Sequence, residues 1–342
     1  MDIQALEGFL DTHMGDWHVP GVSMAVVRRD EPPVVVTRGL RDGAHGMPMT
    51  ATTGMWVASC TKAFTALAVG LLVDARKLSW DTLISDVLPG FGMQDAYAQA
   101  RMTVRDILSH RTGLPRHDRV WYKGSFPRCE IVSRMRHLPP TMDFRSGYQY
   151  NNHSYIMAGQ VIEAVSGQSY EAFITERLLL PLGMQHSGFE PAVLDMATPH
   201  QFRDAALHSM QPYATGPNLL SSAGALLSTA PDMARWLQLQ LGMGELAGTR
   251  IASTNVMQET RTPVIPVNDP TLLIHGIETF GHPAYALGWR VNAYRGRTLI
   301  GHNGLIDGFG SHCSFMPEAG VGVCVLTNLD SADFATLASL RA

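Results

Sequence analysis

Three short segments carry residue types whose spacing suits acyl chemistry. The first is Ser59-Cys60-Thr61-Lys62, which opens a stretch where Phe64, Leu67, Ala68, Leu71 and Leu72 repeat with a helical period. Residues i and i+3 of a helix share a face, so the Ser59 hydroxyl and the Lys62 amine can meet. A serine hydroxyl is a poor nucleophile until a base takes its proton. Arginine cannot accept that proton, whereas a buried lysine can fall well below its usual pKa. The sequence holds three lysines, Lys62, Lys77 and Lys123, among 26 basic residues, and Lys62 alone lies in an apolar helix. The same spacing also suits Ser59 as a helix cap and Lys62 as a snorkelling side chain.

The second segment is Tyr148-Gln149-Tyr150-Asn151-Asn152, at the head of a helical pattern that runs to Val165. Tyr150 can share a proton network with Lys62, and the Asn152 amide can orient a substrate carbonyl or amide. Ordinary capping by Asn and packing by Tyr would give the same residues. The third is Gly301-His302-Asn303-Gly304, at the end of a predicted strand. Glycine there lets the strand backbone approach a ligand closely. Alternatively, Asn-Gly marks a two-residue hairpin turn.

The elements that must position these segments follow from periodicity. Residues 2–17 suit a helix ending before Pro20-Gly21, and Val22–Arg28 with Val34–Arg38 read as a hairpin around Asp30-Glu31-Pro32-Pro33. Residues 80–240 read as helices and loops, with clear helices at Asn152–Val165 and Pro231–Leu241. Strand patterns return at Ala286–Ala293, Thr298–His302, Gly310–Met316 and Val321–Leu326. Strands at both ends around a helical middle predict an α+β fold. One antiparallel sheet is completed by the two ends, as a sheet lobe of about 1–58 and 285–342, and a helical lobe of about 80–240 is inserted within a single catalytic domain.

Bulk properties narrow the function classes. Of the 342 residues 45% are apolar and 16% charged, which is globular composition, and a net charge of −4 without a basic stripe argues against nucleic acid. The 14 histidines show no metal-ligand spacing, and four scattered cysteines form no disulfide framework. No stretch is long and apolar enough for a membrane span, and Met1-Asp2-Ile3-Gln4 opens no signal peptide, so the expectation is a cytoplasmic protein. The apolar positions of Ser331–Ala342 suit either a short terminal helix or the start of a region cut off after Ala342.

The order of the three motifs resembles the serine β-lactamase and penicillin-binding-protein family in its class C β-lactamase form, with S-x-x-K, Y-x-N and H-x-G elements. The likeness extends to Pro20-Gly21-Val22-Ser23, Leu78-Ser79-Trp80-Asp81, the run Met102–Pro115, Pro181-Leu182-Gly183-Met184 and Leu287-Gly288-Trp289. It implies an antiparallel sheet flanked by helices plus a helical lobe, with the active site between them and no cofactor or metal. It further implies Ser59 as nucleophile, with Lys62 or Tyr150 as the proton acceptor and Tyr150 as the donor to the leaving group. Asn152, His302 and Gly304 would line the substrate site, and the oxyanion would sit between the backbone N–H groups of Ser59 and Leu305. A peptidase-like subgroup carries a further C-terminal β-barrel, which would account for the end at Ala342.

His302 stands where many β-lactamases have lysine, so the expectation is a site without a fixed cation for a substrate carboxylate, unless Arg290 or Arg297 supplies one. The implied activity is hydrolysis of a small or short-peptide amide or ester, with little action on β-lactams. Acyl transfer in a biosynthetic pathway, or a catalytically silent scaffold, fits the same motifs. The sequence sets no oligomeric state.

Overall fold

In a computed structural model, residues 3–124, 126–191, 195–212, 219–268 and 283–342 are described. The N-terminal helix α1 (Ile3–His13) leads into a hairpin, β1 (Gly21–Arg28) and β2 (Val34–Asp42), followed by the short β3 (Met47–Pro48). The last third of the chain adds β4 (Ile265–Pro266), β5 (Ala284–Tyr285), β6 (Arg290–Tyr294), β7 (Arg297–Ile306), β8 (Phe309–Met316) and β9 (Val321–Thr327). All nine form one antiparallel sheet in the order β4-β5-β6-β7-β8-β9-β1-β2-β3. Its closing pair joins the chain's two ends, β1 running antiparallel to β9 from Val22↔Thr327 to Arg28↔Val321.

Alternation along these strands feeds two cores. On one face Val22, Met24 and Val26 pack with Leu6 and Leu10 of α1 and with Phe334, Ala335 and Ala338 of the terminal helix α7 (Asp333–Arg341). On the other face Ala25, Cys313 and Cys324 join the larger core around α2 (Thr61–Asp74), α4 (Asn152–Ser166) and α6 (Ala230–Leu241). Every residue of α2 from Thr61 to Leu72 is buried, so the helix is a central post of the core. Between the sheet-forming ends lie short helices, among them α3 (Val104–Leu108) and α5 (Ser221–Gly224). A small hairpin, His200–Arg203 with Ala206–Ser209, also lies there and was not anticipated.

Two expectations about local structure are corrected. The strand expected from Ala286 starts at Arg290, because Gly288 turns the chain at a φ of +79° while the Ala286 N–H donates to the Trp289 carbonyl at 2.8 Å. The alternative of a turn at Asn303-Gly304 also fails. Pairing of β7 with β8 runs on to Ile306↔Phe309, and the turn falls at Asp307-Gly308, with φ of 21° and 85°. Among the described residues no helix is long and apolar enough to cross a membrane.

Candidate active site

The segment before Ser59 is bent sharply. Ala58 has a φ of 46°, left-handed and costly for a residue with a Cβ, and a single 3₁₀ turn, Ala58–Cys60, leads into α2. That turn rests on β7 at Gly304. A Cβ there would come within 2.5 Å of both the Val57 carbonyl oxygen and Ser311 Oγ, so only glycine lets the strand approach this closely. Cys60 points away into the seam, its thiol donating to the His302 carbonyl at 3.1 Å, and burial pushes its pKa up to about 12.

Ser59 Oγ lies 2.6 Å from the Tyr150 phenol oxygen and 3.0 Å from Lys62 Nζ. Lys62, fully buried, also donates to Asn152 Oδ1 at 2.8 Å and to the Ala223 carbonyl of α5 at 2.6 Å. Those two oxygens can only accept, so they occupy two amine hydrogens and leave the third position of the nitrogen facing Ser59. An ammonium would donate there, whereas a neutral amine would accept the serine proton. Burial drives the Lys62 pKa well below 10.5, and the positive charge of Arg116 acts in the same direction. Burial acts oppositely on Tyr150, raising its phenol pKa above 10, with the hydrogen bond from Ser59 offsetting part of the rise.

Tyr150 is held by its neighbours. Asn151 caps α4, its Oδ1 accepting from the Ser154 N–H at 2.9 Å, while its Nδ2 donates to the Leu114 carbonyl at 3.0 Å. The Gln149 N–H donates to the His110 carbonyl at 2.8 Å, and the buried His110 ring lies 4.4 Å from the Tyr150 ring. The Met102–Pro115 run is therefore the bed of the Tyr150 loop. It is anchored by Asp106, which caps α3 with Thr103 and accepts from Arg145 at 2.7 Å.

A cavity of about 600 Å³ opens over Ser59. Tyr150, Asn152, Arg290, His302, Gly304 and Leu305 all line it, so the structure brings the sequence-predicted residues together, with Lys62 directly beneath Ser59. β6 pairs with β7 only as far as Gly301, so beyond it the edge of β7 on that side has no strand partner among the described residues. The stretch from His302 to Asp307 borders the cavity. Leu305 is 53% exposed and lines the cavity.

His302 differs from a free imidazole donor. Its Nδ1 lies 2.6 Å from the Asn303 carbonyl, which can only accept, so the proton sits on Nδ1. Its Nε2 then accepts from the Tyr285 hydroxyl at 3.1 Å, and burial holds the ring's pKa well below 6.5. Of the two arginines named as substitutes for a fixed cation, Arg290 lies at the cavity, and Arg116 joins it there. Arg290 lines the cavity, with Nη1 donating to Asn303 Oδ1 at 2.6 Å. Arg116, which the sequence reading passed over, also lines it. Its guanidinium lies 5.3 Å from the Tyr150 ring centroid and pairs with Asp118 at 2.7 Å. Arg297 is exposed at the far end of the β6–β7 hairpin, opposite Tyr294.

A family model described as Beta-lactamase matches residues 6–342. The chain is 30% identical over 336 residues to an unguisins hydrolase of Aspergillus violaceofuscus (strain CBS 115571), covering 91% of this chain and 59% of that protein. It is 25% identical over 342 residues to protein flp of Staphylococcus aureus (strain COL), covering 96% and 63%. The chain thus spans about three fifths of the length of these curated relatives. The octameric penicillin-binding protein homologue from Pyrococcus abyssi superposes with a TM-score of 0.86 at 27% identity, covering 100% of this chain and 76% of that one. The D-amino acid amidase from Ochrobactrum anthropi SV3, complexed with L-phenylalanine, gives 0.80 at 25% identity, covering 97% and 93%.

Proposed function

The chain belongs to the beta-lactamase family and has its α+β fold, and from that premise we propose that it is a serine hydrolase acting on amides or esters through an acyl-enzyme at Ser59. The observation that carries the reading is the approach of one hydroxyl to both Lys62 Nζ and Tyr150 Oη, at 3.0 and 2.6 Å, at the floor of the cavity.

Lys62 as neutral amine accepts the Ser59 proton while Oγ attacks the substrate carbonyl carbon. The resulting oxyanion lies between the backbone N–H groups of Ser59 and Leu305. Tyr150 gives its proton to the departing nitrogen or oxygen as the bond to the acyl carbon breaks, and Lys62, left as an ammonium, returns a proton to the phenolate. Water then attacks the acyl carbon, its proton passing to the same pair, and Ser59 leaves with a proton restored. Because the two groups are coupled, the proton belongs to the pair. Asn152 holds Lys62 through Oδ1 and keeps its amide N–H₂ for the substrate.

The substrate class we favour is a small amide or ester, or a short peptide with D-residues. The cavity's volume of about 600 Å³ suits a ligand of that size, and the amidase neighbour acts on D-amino acid amides by its name. Arg290 and Arg116 supply a partner for a carboxylate, which removes the reason to expect poor action on β-lactams. Intact-mass analysis after a fluorophosphonate probe tests the reading. One adduct is expected on the wild type and none on Ser59→Ala, whereas an adduct on folded Ser59→Ala would refute the nucleophile.

A further inference from the structure

The cavity wall includes a short piece of chain whose contacts nothing in the hydrolytic reading uses. Residues 117–123 run from the lobe that carries Tyr150 across to the β7–β8 turn. Both ends of the piece are left-handed at residues with side chains, His117 with a φ of 43° and Lys123 with a φ of 56°, and Gly124 follows. Such positions are costly and mark where a backbone pivots. At the tip, the Tyr122 hydroxyl donates to the Asp307 carboxylate, 2.8 Å from Oδ1 and 3.0 Å from Oδ2, joining residues 185 apart in sequence. Both residues line the cavity over Ser59, and Tyr122 is 43% exposed, so the bond crosses the mouth and not the floor.

Polar atoms lie enclosed around this piece. Asp118 Oδ1, Trp121 Nε1 and both ring nitrogens of His153 are buried without a hydrogen-bond partner among the described residues. His153 is the second residue of α4, beside Asn152, and its ring faces that of His117 at 6.1 Å. Buried polar groups are normally paired, and leaving several unpaired opposes the arrangement that encloses them. Swinging residues 117–123 outward would return these groups to water. The closed arrangement is held against that tendency by the burial of Trp121 in the main core, by the Arg116–Asp118 pair and, at its tip, by the Tyr122–Asp307 bond.

We propose that residues 117–123 form a gate over the nucleophile, latched by Tyr122 and Asp307, which sets the size of acyl substrate that reaches Ser59. The proposal rests on the hydrolytic reading of Ser59. A small acyl group reaches the serine beneath the latch, whereas a bulky one requires the open form. Apparent affinity for bulky substrates is then reduced by the fraction of molecules that are open.

The test compares Tyr122→Phe and Asp307→Asn with the wild type on two p-nitrophenyl esters, acetate and a branched-chain peptidyl ester. Fluorophosphonate labelling of Ser59 is run alongside. Each variant is expected to raise the kcat/KM ratio of bulky to small ester by about tenfold, chiefly through KM, with acetate turnover within about twofold of wild type. Two variants on opposite sides of the latch keep the test decisive if one misfolds. Labelled wild type with an unchanged ratio in the folded variants overturns the gate alone, and wild type that is never labelled at Ser59 overturns both readings.

Discussion

Replacing Lys62 by methionine tests the proposed base through stability as well as rate. Methionine matches the length of the lysine stem and can be buried without a charge. In the unfolded chain Lys62 titrates at its ordinary value of 10.5, and in the folded protein burial lowers that value strongly. Between the two pKa values the unfolded state holds one proton more than the folded state, so stability rises with pH across that window. Lowering the pH from 10.5 toward the folded pKa therefore costs the wild type about 1.4 kcal/mol per pH unit. The methionine protein lacks this dependence, and titrating groups that do not interact with Lys62 cancel in the difference. Against it, the mutation leaves Asn152 Oδ1 and the Ala223 carbonyl without their donor, a constant loss of about 1–3 kcal/mol for each. The expected signature is a slope, whatever the offset. Followed by urea denaturation at each pH from 10 down to 7, the stability of Lys62→Met relative to wild type improves as the pH falls until the folded pKa of Lys62 is reached. A difference that stays flat over those three units would mean that Lys62 keeps an ordinary pKa when folded. The neutral-amine mechanism would then be wrong.

Three further outcomes are expected. Lys62→Arg should lose turnover nearly as fully as Lys62→Ala, by about 10²–10⁴ in kcat, because guanidinium keeps the charge and cannot act as a base. A near-native kcat in the arginine variant would assign the base to Tyr150. Gly304→Ala should cost about 1–3 kcal/mol in thermal or urea unfolding and slow labelling of Ser59, since its Cβ would press on the Val57 carbonyl oxygen at 2.5 Å. An unchanged midpoint would show that the 3₁₀ turn and β7 yield to one another. Arg290→Gln should lower kcat/KM for a penicillin by at least tenfold relative to a neutral ester. In the wild type, the ratio of the two should not titrate near pH 6.5, because burial keeps His302 neutral there. A ratio that falls as pH rises through 6.5 would return the carboxylate to a protonated His302.

The parts of this site legible in the sequence share one property: local spacing expresses their geometry. Ser59 and Lys62 sit one helical turn apart, Tyr150 and Asn152 flank a helix start, and His302 and Gly304 share a strand. Family resemblance joined the three pieces, because nothing in periodicity relates residue 62 to residue 152. What escaped the sequence arises from long-range approach or from burial. The Ala223 carbonyl meets Lys62 across 161 positions, and backbone oxygens leave no mark on residue type. The side chain of Arg116 is 60% exposed and lines the cavity, an arrangement its sequence neighbourhood does not express. His302 was correctly placed, but its state depended on the Tyr285 hydroxyl and the Asn303 carbonyl, which fix the tautomer and occupy both ring nitrogens. The strand carrying it was read as too short, because Asn303-Gly304 has the composition of a turn. Close packing on the Val57–Ala58 backbone is what demands glycine there.

On the proposed reading, acid and base are separated by a single physical cause. Desolvation disfavours the charged form of any group, so it lowers the lysine and raises the tyrosine together. At neutral pH this pushes the pair toward a neutral amine beside a neutral phenol, with Ser59 Oγ within hydrogen-bonding reach of both. The fixed charges of Arg116 and Arg290 pull in one direction only, favouring loss of a proton from either group. They therefore reinforce burial at Lys62 and oppose it at Tyr150, lowering both proton affinities while burial leaves the phenol with the higher one. A proton taken by Lys62 in acylation is then returned downhill to the phenolate, the stronger base of the two. No carboxylate hydrogen-bonds Lys62 among the described residues to hold it as ammonium, and Asp118, the nearest acidic influence on it, is paired with Arg116. Placing a carboxylate within bonding distance of Lys62 would break this balance at its source, restoring the ammonium and leaving Ser59 without a base.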